Sequence, residues 1–159
     1  MYTIVIFVIN VFLPPPINYL LIVVQAVLLA LSTLFIGKAG ATYVGAVGGV
    51  LTALGRPALG PFTFFFAFLY GFLVDVSVFI FKITASPEGV NRNRLMAAMA
   101  FSTVLIGFLS YYGTVLIPKF LQSDPAIDML VMFMGPITGA VAGYAASYLW
   151  NKYLRNINV

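Results

Sequence analysis

A chain of 159 residues that is 62% hydrophobic and 8% charged, with a mean hydropathy of +1.07, carries too much apolar surface for a water-soluble domain. It has neither cysteine nor histidine, which removes disulfides, thiolate chemistry, haem ligation by histidine and ordinary zinc or copper sites, and counts against nickel- or cobalt-type uptake. The net charge of +4 is small and falls at the ends of apolar segments, so it reads as a topology signal and not as a nucleic-acid footprint.

Six apolar runs follow one another, at residues 2–13, 17–36, 39–54, 61–81, 95–117 and 127–150. They predict an all-α polytopic bundle of about six transmembrane helices, a single transmembrane domain over residues 1–159 in the cell membrane. The first run is short against the roughly 20 residues a span needs, and Pro14, Pro15 and Pro16 stop it. It reads as a tilted, partial or signal-like segment. A cleaved signal is not expected, for want of a basic leading region and a small-x-small site. The second run holds Ala26 and Ala30, and the third has Ala41, Gly45, Gly49 and Ala53 at every fourth position. A glycine-proline corner at residues 55–61 carries Arg56, and the fourth run contains Asp75 among apolar neighbours. The sixth repeats the small-residue stripe with Gly135, Gly139, Gly143 and Ser147. Such stripes let helix backbones approach closely, within the bundle in the simpler reading or against a partner protein in the other.

Lys38, Lys82, Arg92, Arg94, Lys152 and Arg155 fall on the side of the termini, and Arg56 and Lys119 on the other, offset by Asp124 and Asp128. The bias places both termini in the cytoplasm. A five-span reading moves only the N-terminus. Trp150 and Tyr153 fit an interfacial anchor at the end of the last run.

Asp75 is the one carboxylate in the interior of a run, Asp128 standing at the opening of the sixth, and it lies about 21 Å along its helix at 1.5 Å per residue. An ionisable group at that depth is functional or paired, and the expected partners are Lys38 or Lys82, with substrate or proton binding as the alternative. Ser32, Ser77, Ser102 and Thr103 are expected to bond back to their own helices. At the outer ends lie Asn10, Asn18, Tyr19, Gln25, Arg56, Tyr111 and Tyr112, with Thr138 further down the sixth run. Tyrosines there can stack on a flat ring while Asn, Gln and Arg fix its polar edge, although interfacial tyrosines also serve as belt anchors. No Ser/His/Asp set, carboxylate pair, phosphate-binding glycine loop or metal cluster is present in the sequence, so neither an enzyme nor a cofactor is expected.

The run Gly37-Lys38-Ala39-Gly40-Ala41, the small-rich helix after it, the Gly-x-Pro-x-x-Gly-Pro corner and Gly71-Phe72-Leu73-Val74-Asp75 occur in that order. With six short spans, few charges and a small-rich final segment ending in basic residues, the chain resembles the substrate-binding components of energy-coupling factor vitamin transporters. The likeness is to those for the thiamine precursor hydroxymethylpyrimidine. The resemblance covers about half of the chain. It implies an outward pocket for a small aromatic or heterocyclic substrate, and partners in a transmembrane scaffold subunit and ATPase subunits. It also implies that Ala26 and Ala30 match an Ala-x-x-x-Ala pair that docks the scaffold. The short first segment and Arg56 depart from the family's pattern. The alternative is a small accessory subunit of a larger membrane complex, in which the small-residue stripes pack against neighbours.

Overall fold

The computed structural model describes residues 17–55, 60–86, 88–113 and 125–154, with side chains over 23–54, 61–86, 88–113 and 133–154. These residues form five α-helices and a final π-helical turn: α1 (Ile17–Ile36), α2 (Gly40–Gly55), α3 (Gly60–Ile80), α4 (Arg92–Tyr111), α5 (Pro125–Leu149) and the turn Trp150–Leu154. There is no strand among them, only an isolated bridge between Ser86 and Gly89. The protein is all-α. Two helices, Pro61–Ile80 and Arg92–Tyr111, are long and apolar enough to cross a membrane.

Each helix packs on the next in the chain, α2 on α3 and α4 on α5 most extensively, and α5 returns to α1. The result is a closed ring of helices, with α1 also touching α3 across it. The centre is filled by Leu29, Val74, Leu95, Met99, Ala142, Ala146 and Trp150. The outward faces are large and apolar: Val47, Val50 and Leu54 on α2, and Phe64, Phe65, Phe68, Phe72 and Phe79 on α3, are all exposed. Apolar exposure on this scale marks a surface built to meet something other than water.

Local chemistry sets the helix ends. α1 stops at Gly37, whose φ is +81° and whose N–H donates to the Thr33 carbonyl at 2.9 Å. α3 stops in a Schellman motif: the Ile83 N–H donates to the Val78 carbonyl and the Lys82 N–H to that of Phe79, both at 3.0 Å. Lys82 takes the left-handed position, φ +50°, that usually falls to glycine, and Ile83 folds back on the core beside Val78. α4 begins earlier than its apolar run, because Asn91 caps it and accepts from the Arg94 N–H at 3.2 Å.

The small-residue stripes are the seams of the ring. A Cβ at Gly45 would stand 2.6 Å from the Ala67 carbonyl oxygen, and one at Gly49 would stand 3.1 Å from Phe64, so the α2 stripe lies on α3. Cβ atoms at Gly139 and Gly143 would meet Met99 and Met96 of α4 at 2.5 and 2.7 Å. Gly135 is looser, with its nearest neighbour at 3.7 Å. Ala26 and Ala30 lie in the core, 1% and 0% exposed, so the chain's own helices already occupy that face. Ser32, Ser102 and Thr103 bond back to the carbonyls of Leu29 and Met99. Ser77, expected to do the same, has no hydrogen-bond partner for its hydroxyl among the described residues.

Candidate functional site

α2 begins with a problem. Its cap position is Ala39, whose carbonyl accepts from Tyr43 but whose side chain offers no oxygen, and whose φ is +70°. Asp75, from the middle of α3, supplies what is missing. One carboxylate oxygen accepts from the Ala41 N–H at 3.1 Å and from the Thr33 hydroxyl at 2.7 Å. The other accepts from the Thr42 N–H at 2.7 Å and its hydroxyl at 2.6 Å. Two of the amides that a helix leaves open are thereby closed by a negative group at the positive end of the dipole. Neighbouring Gly71 makes the approach possible: a Cβ there would collide with the Ala41 carbonyl oxygen. The expected pairing of Asp75 with Lys38 or Lys82 is therefore corrected. Its partners are two threonines and two backbone amides that join α1, α2 and α3, and this half-buried cluster donates to the carboxylate from four sides.

The residues expected to hold a substrate are less concentrated. Asn10 and Arg56 lie outside the described residues, as do the side chains of Asn18 and Tyr19, which sit on the first turn of α1. Gln25 is half-buried on α1, Tyr111 half-buried at the end of α4, and Tyr112 exposed just after it. The Thr138 hydroxyl donates within α5 to the carbonyls of Met134 and Gly135, at 2.8 and 2.9 Å.

A second constellation stands at the other end of α4 and α5. Asn151, in the π-helical turn, holds the preceding loop by both backbone groups of Val90, accepting from its N–H at 2.7 Å and donating to its carbonyl at 3.0 Å. A Cβ on Gly89 would stand 2.6 Å from the Asn151 side-chain oxygen, so only glycine lets the amide in. This clamp sets Arg92 at the start of α4, where the guanidinium lies 5.2 Å from the centre of the Tyr144 ring. Lys152 donates to the Tyr148 hydroxyl at 2.7 Å and stands 5.2 Å from the rings of both Tyr148 and Tyr153. Hydrogen bonds to Tyr148 and then Tyr153 hold the Lys152 ammonium above its ordinary pKa. Between these side chains is an open cavity of about 450 Å³, lined by Arg92, Ser147, Tyr148, Asn151 and Lys152. Sequence reasoning took Arg92 and Lys152 as topology markers only. The missed signal was Tyr144, Tyr148 and Lys152 at successive four-residue steps along one helix face. No family model, curated protein or solved structure matches the chain.

Proposed function

We propose that the chain is a multi-pass protein of the cell membrane and the substrate-binding subunit of an ATP-driven uptake transporter for a vitamin or vitamin precursor. It binds but does not catalyse, and a transmembrane scaffold and ATPase subunits supply the energy. The observation that carries this reading is the closed ring. The stripes are filled by the chain's own helices at Gly45 and Gly49 of α2 and at Gly139 and Gly143 of α5, so these seams close without a neighbour. A subunit that meets and leaves a scaffold has to stay folded between encounters, whereas an accessory subunit can leave its seams to be filled by the complex. The exposed phenylalanines of α3 suit lipid contact around such a bundle. With Asp75 engaged at the start of α2, substrate contact falls to Gln25, Tyr111, Tyr112 and the other groups of that end.

One observation favours the accessory reading instead: Ala26 and Ala30, the pair matched to scaffold docking, are inside the core. Native mass spectrometry of the protein extracted gently from its membrane decides between the two. A bound small aromatic ligand, or co-purifying scaffold and ATPase chains, is the expected result. A ligand-free chain held stoichiometrically in a large assembly without ATPases would overturn the transport reading.

A further inference from the structure

The cavity at the Arg92 end of the bundle has a lining that can recognise a charge of one sign only. The Asn151 amide is engaged with Val90, and the Ser147 hydroxyl donates to the Tyr144 carbonyl at 2.8 Å. That leaves the Arg92 guanidinium and the Lys152 ammonium, which gives one of its three hydrogens to the Tyr148 hydroxyl at 2.7 Å, and the hydrogen of that hydroxyl: two cations and a phenol. Among the described residues no carboxylate lines it, and Glu88, four positions before Arg92 in sequence, is exposed and not part of the lining. Arg92 also opens a helix whose first turn has no acidic residue, the opposite of what the helix dipole favours, so the helix start gains nothing from a guanidinium whose contact is with the Tyr144 ring.

What lies beside the cavity names the class of anion. Phe133, Ile137, Val141, Tyr144 and Tyr148 are all exposed and follow one another at steps of three and four residues along α5. They make an uninterrupted apolar track about 22 Å long at 1.5 Å per residue, more than half of a bilayer's hydrocarbon core of about 30 Å. The track leads into the cavity. Tyr144, Tyr148 and Tyr153, each about half exposed around the two cations, are the residue type that settles at the headgroup level. A free phosphate would use the cations and leave the track empty. A phospholipid uses both.

We propose that Arg92, Tyr148 and Lys152 bind the phosphate headgroup of an anionic phospholipid whose acyl chain lies along the Phe133–Tyr148 face of α5. The site rests on the membrane reading above and is independent of what the protein transports. Asn151 is a positioning residue, since its clamp on Val90 sets Arg92 across from Lys152.

The test is native mass spectrometry of the full chain released from nanodiscs of phosphatidylglycerol in a phosphatidylcholine background. The wild type is expected to retain phosphatidylglycerol in preference to phosphatidylcholine. The double variant R92Q/K152Q should lose about tenfold or more of that preference, each basic side chain near an anionic surface being a several-fold factor. K38Q, which removes an equal charge on the same side of the bundle but outside the cavity's lining, should change it less than about twofold. If the double variant unfolds, the single variant K152Q, at a fully exposed position, carries the test with a severalfold loss. An equal loss in K38Q, or no preference in the wild type, overturns the proposal. Displacement of the lipid by millimolar inorganic phosphate would make it a free-anion site and overturn the lipid assignment. Alkaline carbonate extraction separates the two failures: release of the chain sinks the membrane reading as well, whereas retention without lipid preference sinks this inference alone.

Discussion

Gly71 and Asp75 stand one turn apart on α3, and they act as a unit. The glycine lets the first turn of α2 close in, and the carboxylate then meets the Ala41 and Thr42 amides that nothing on α2 itself could satisfy. Removing the carboxylate takes the acceptor from two amides and the Thr42 hydroxyl, while the Thr33 hydroxyl can fall back on the Leu29 carbonyl at 3.3 Å. D75A is expected to destabilise the protein by about 2–3 kcal/mol, and D75N by less, since an amide oxygen still accepts on one side. K38A and K82A should stay within about 0.5 kcal/mol of the wild type, which thermal unfolding in detergent can resolve. A larger loss in either lysine variant would restore the ion-pair assignment. Lys82 makes a second prediction at this scale. It holds a left-handed position at no benefit to itself, so K82G should raise stability by about 0.5–1 kcal/mol through relief of strain. An unchanged or lowered melting temperature would count against the Schellman geometry at that helix end.

At the scale of the helices, apolar run length located most of what forms. The run at 17–36 coincides with α1, and those at 39–54 and 61–81 differ from α2 and α3 by a residue at each end. α4 was legible only from residue 95, because its capping Asn91 and polar first turn lie outside any apolar run. Spacing alone announced close approach along the stripes but could not say which helix approaches. That depends on the three-dimensional ring. The contacts now divide glycines that looked equivalent. G139A puts a methyl group 2.5 Å from the Met99 carbonyl and should cost about 1–3 kcal/mol, and G71A, aimed at the Ala41 carbonyl, at least as much. G135A, with its nearest neighbour at 3.7 Å, should be neutral or slightly stabilising, as alanine is the better helix former. Equal effects at 135 and 139 would mean that α5 packs elsewhere. The Asp75 cap was not legible at all, since a carboxylate 34 positions beyond Ala41 becomes its neighbour only through the α2–α3 contact.

For the whole molecule, composition pointed to a membrane and the exposed aromatic faces agree with it, while sidedness rests on the distribution of basic residues. The absence of cysteine makes that distribution simple to check, because any cysteine introduced is the only one. The proposed multi-pass arrangement, in which α2 and α3 both cross, predicts that single cysteines in place of Lys38 and Arg94 react with an impermeant maleimide in inside-out vesicles and not in intact cells. A cysteine replacing Phe65, in the exposed apolar face of α3, should react in neither. Labelling of positions 38 and 94 from opposite sides would remove one of the two crossings between them. The basic cavity was the part least legible at this scale. Its cations come from the ends of separate helices, and the packing of α4 on α5 together with the Asn151 clamp brings them to one opening.

The borrowed cap on α2 also bears on how the protein is made. Synthesis runs from α2 to α3, so the amides of Ala41 and Thr42 emerge from the ribosome well before the carboxylate that closes them. A lone α2 released sideways into lipid would carry open donors into a medium with no water to fill them. Asp75 released alone would carry a bare charge there. The two defects cancel when the helices enter together. On the proposed multi-pass reading, the smallest portion of this chain that a translocation channel can release with both defects closed is therefore the α2–α3 hairpin, and not either helix by itself.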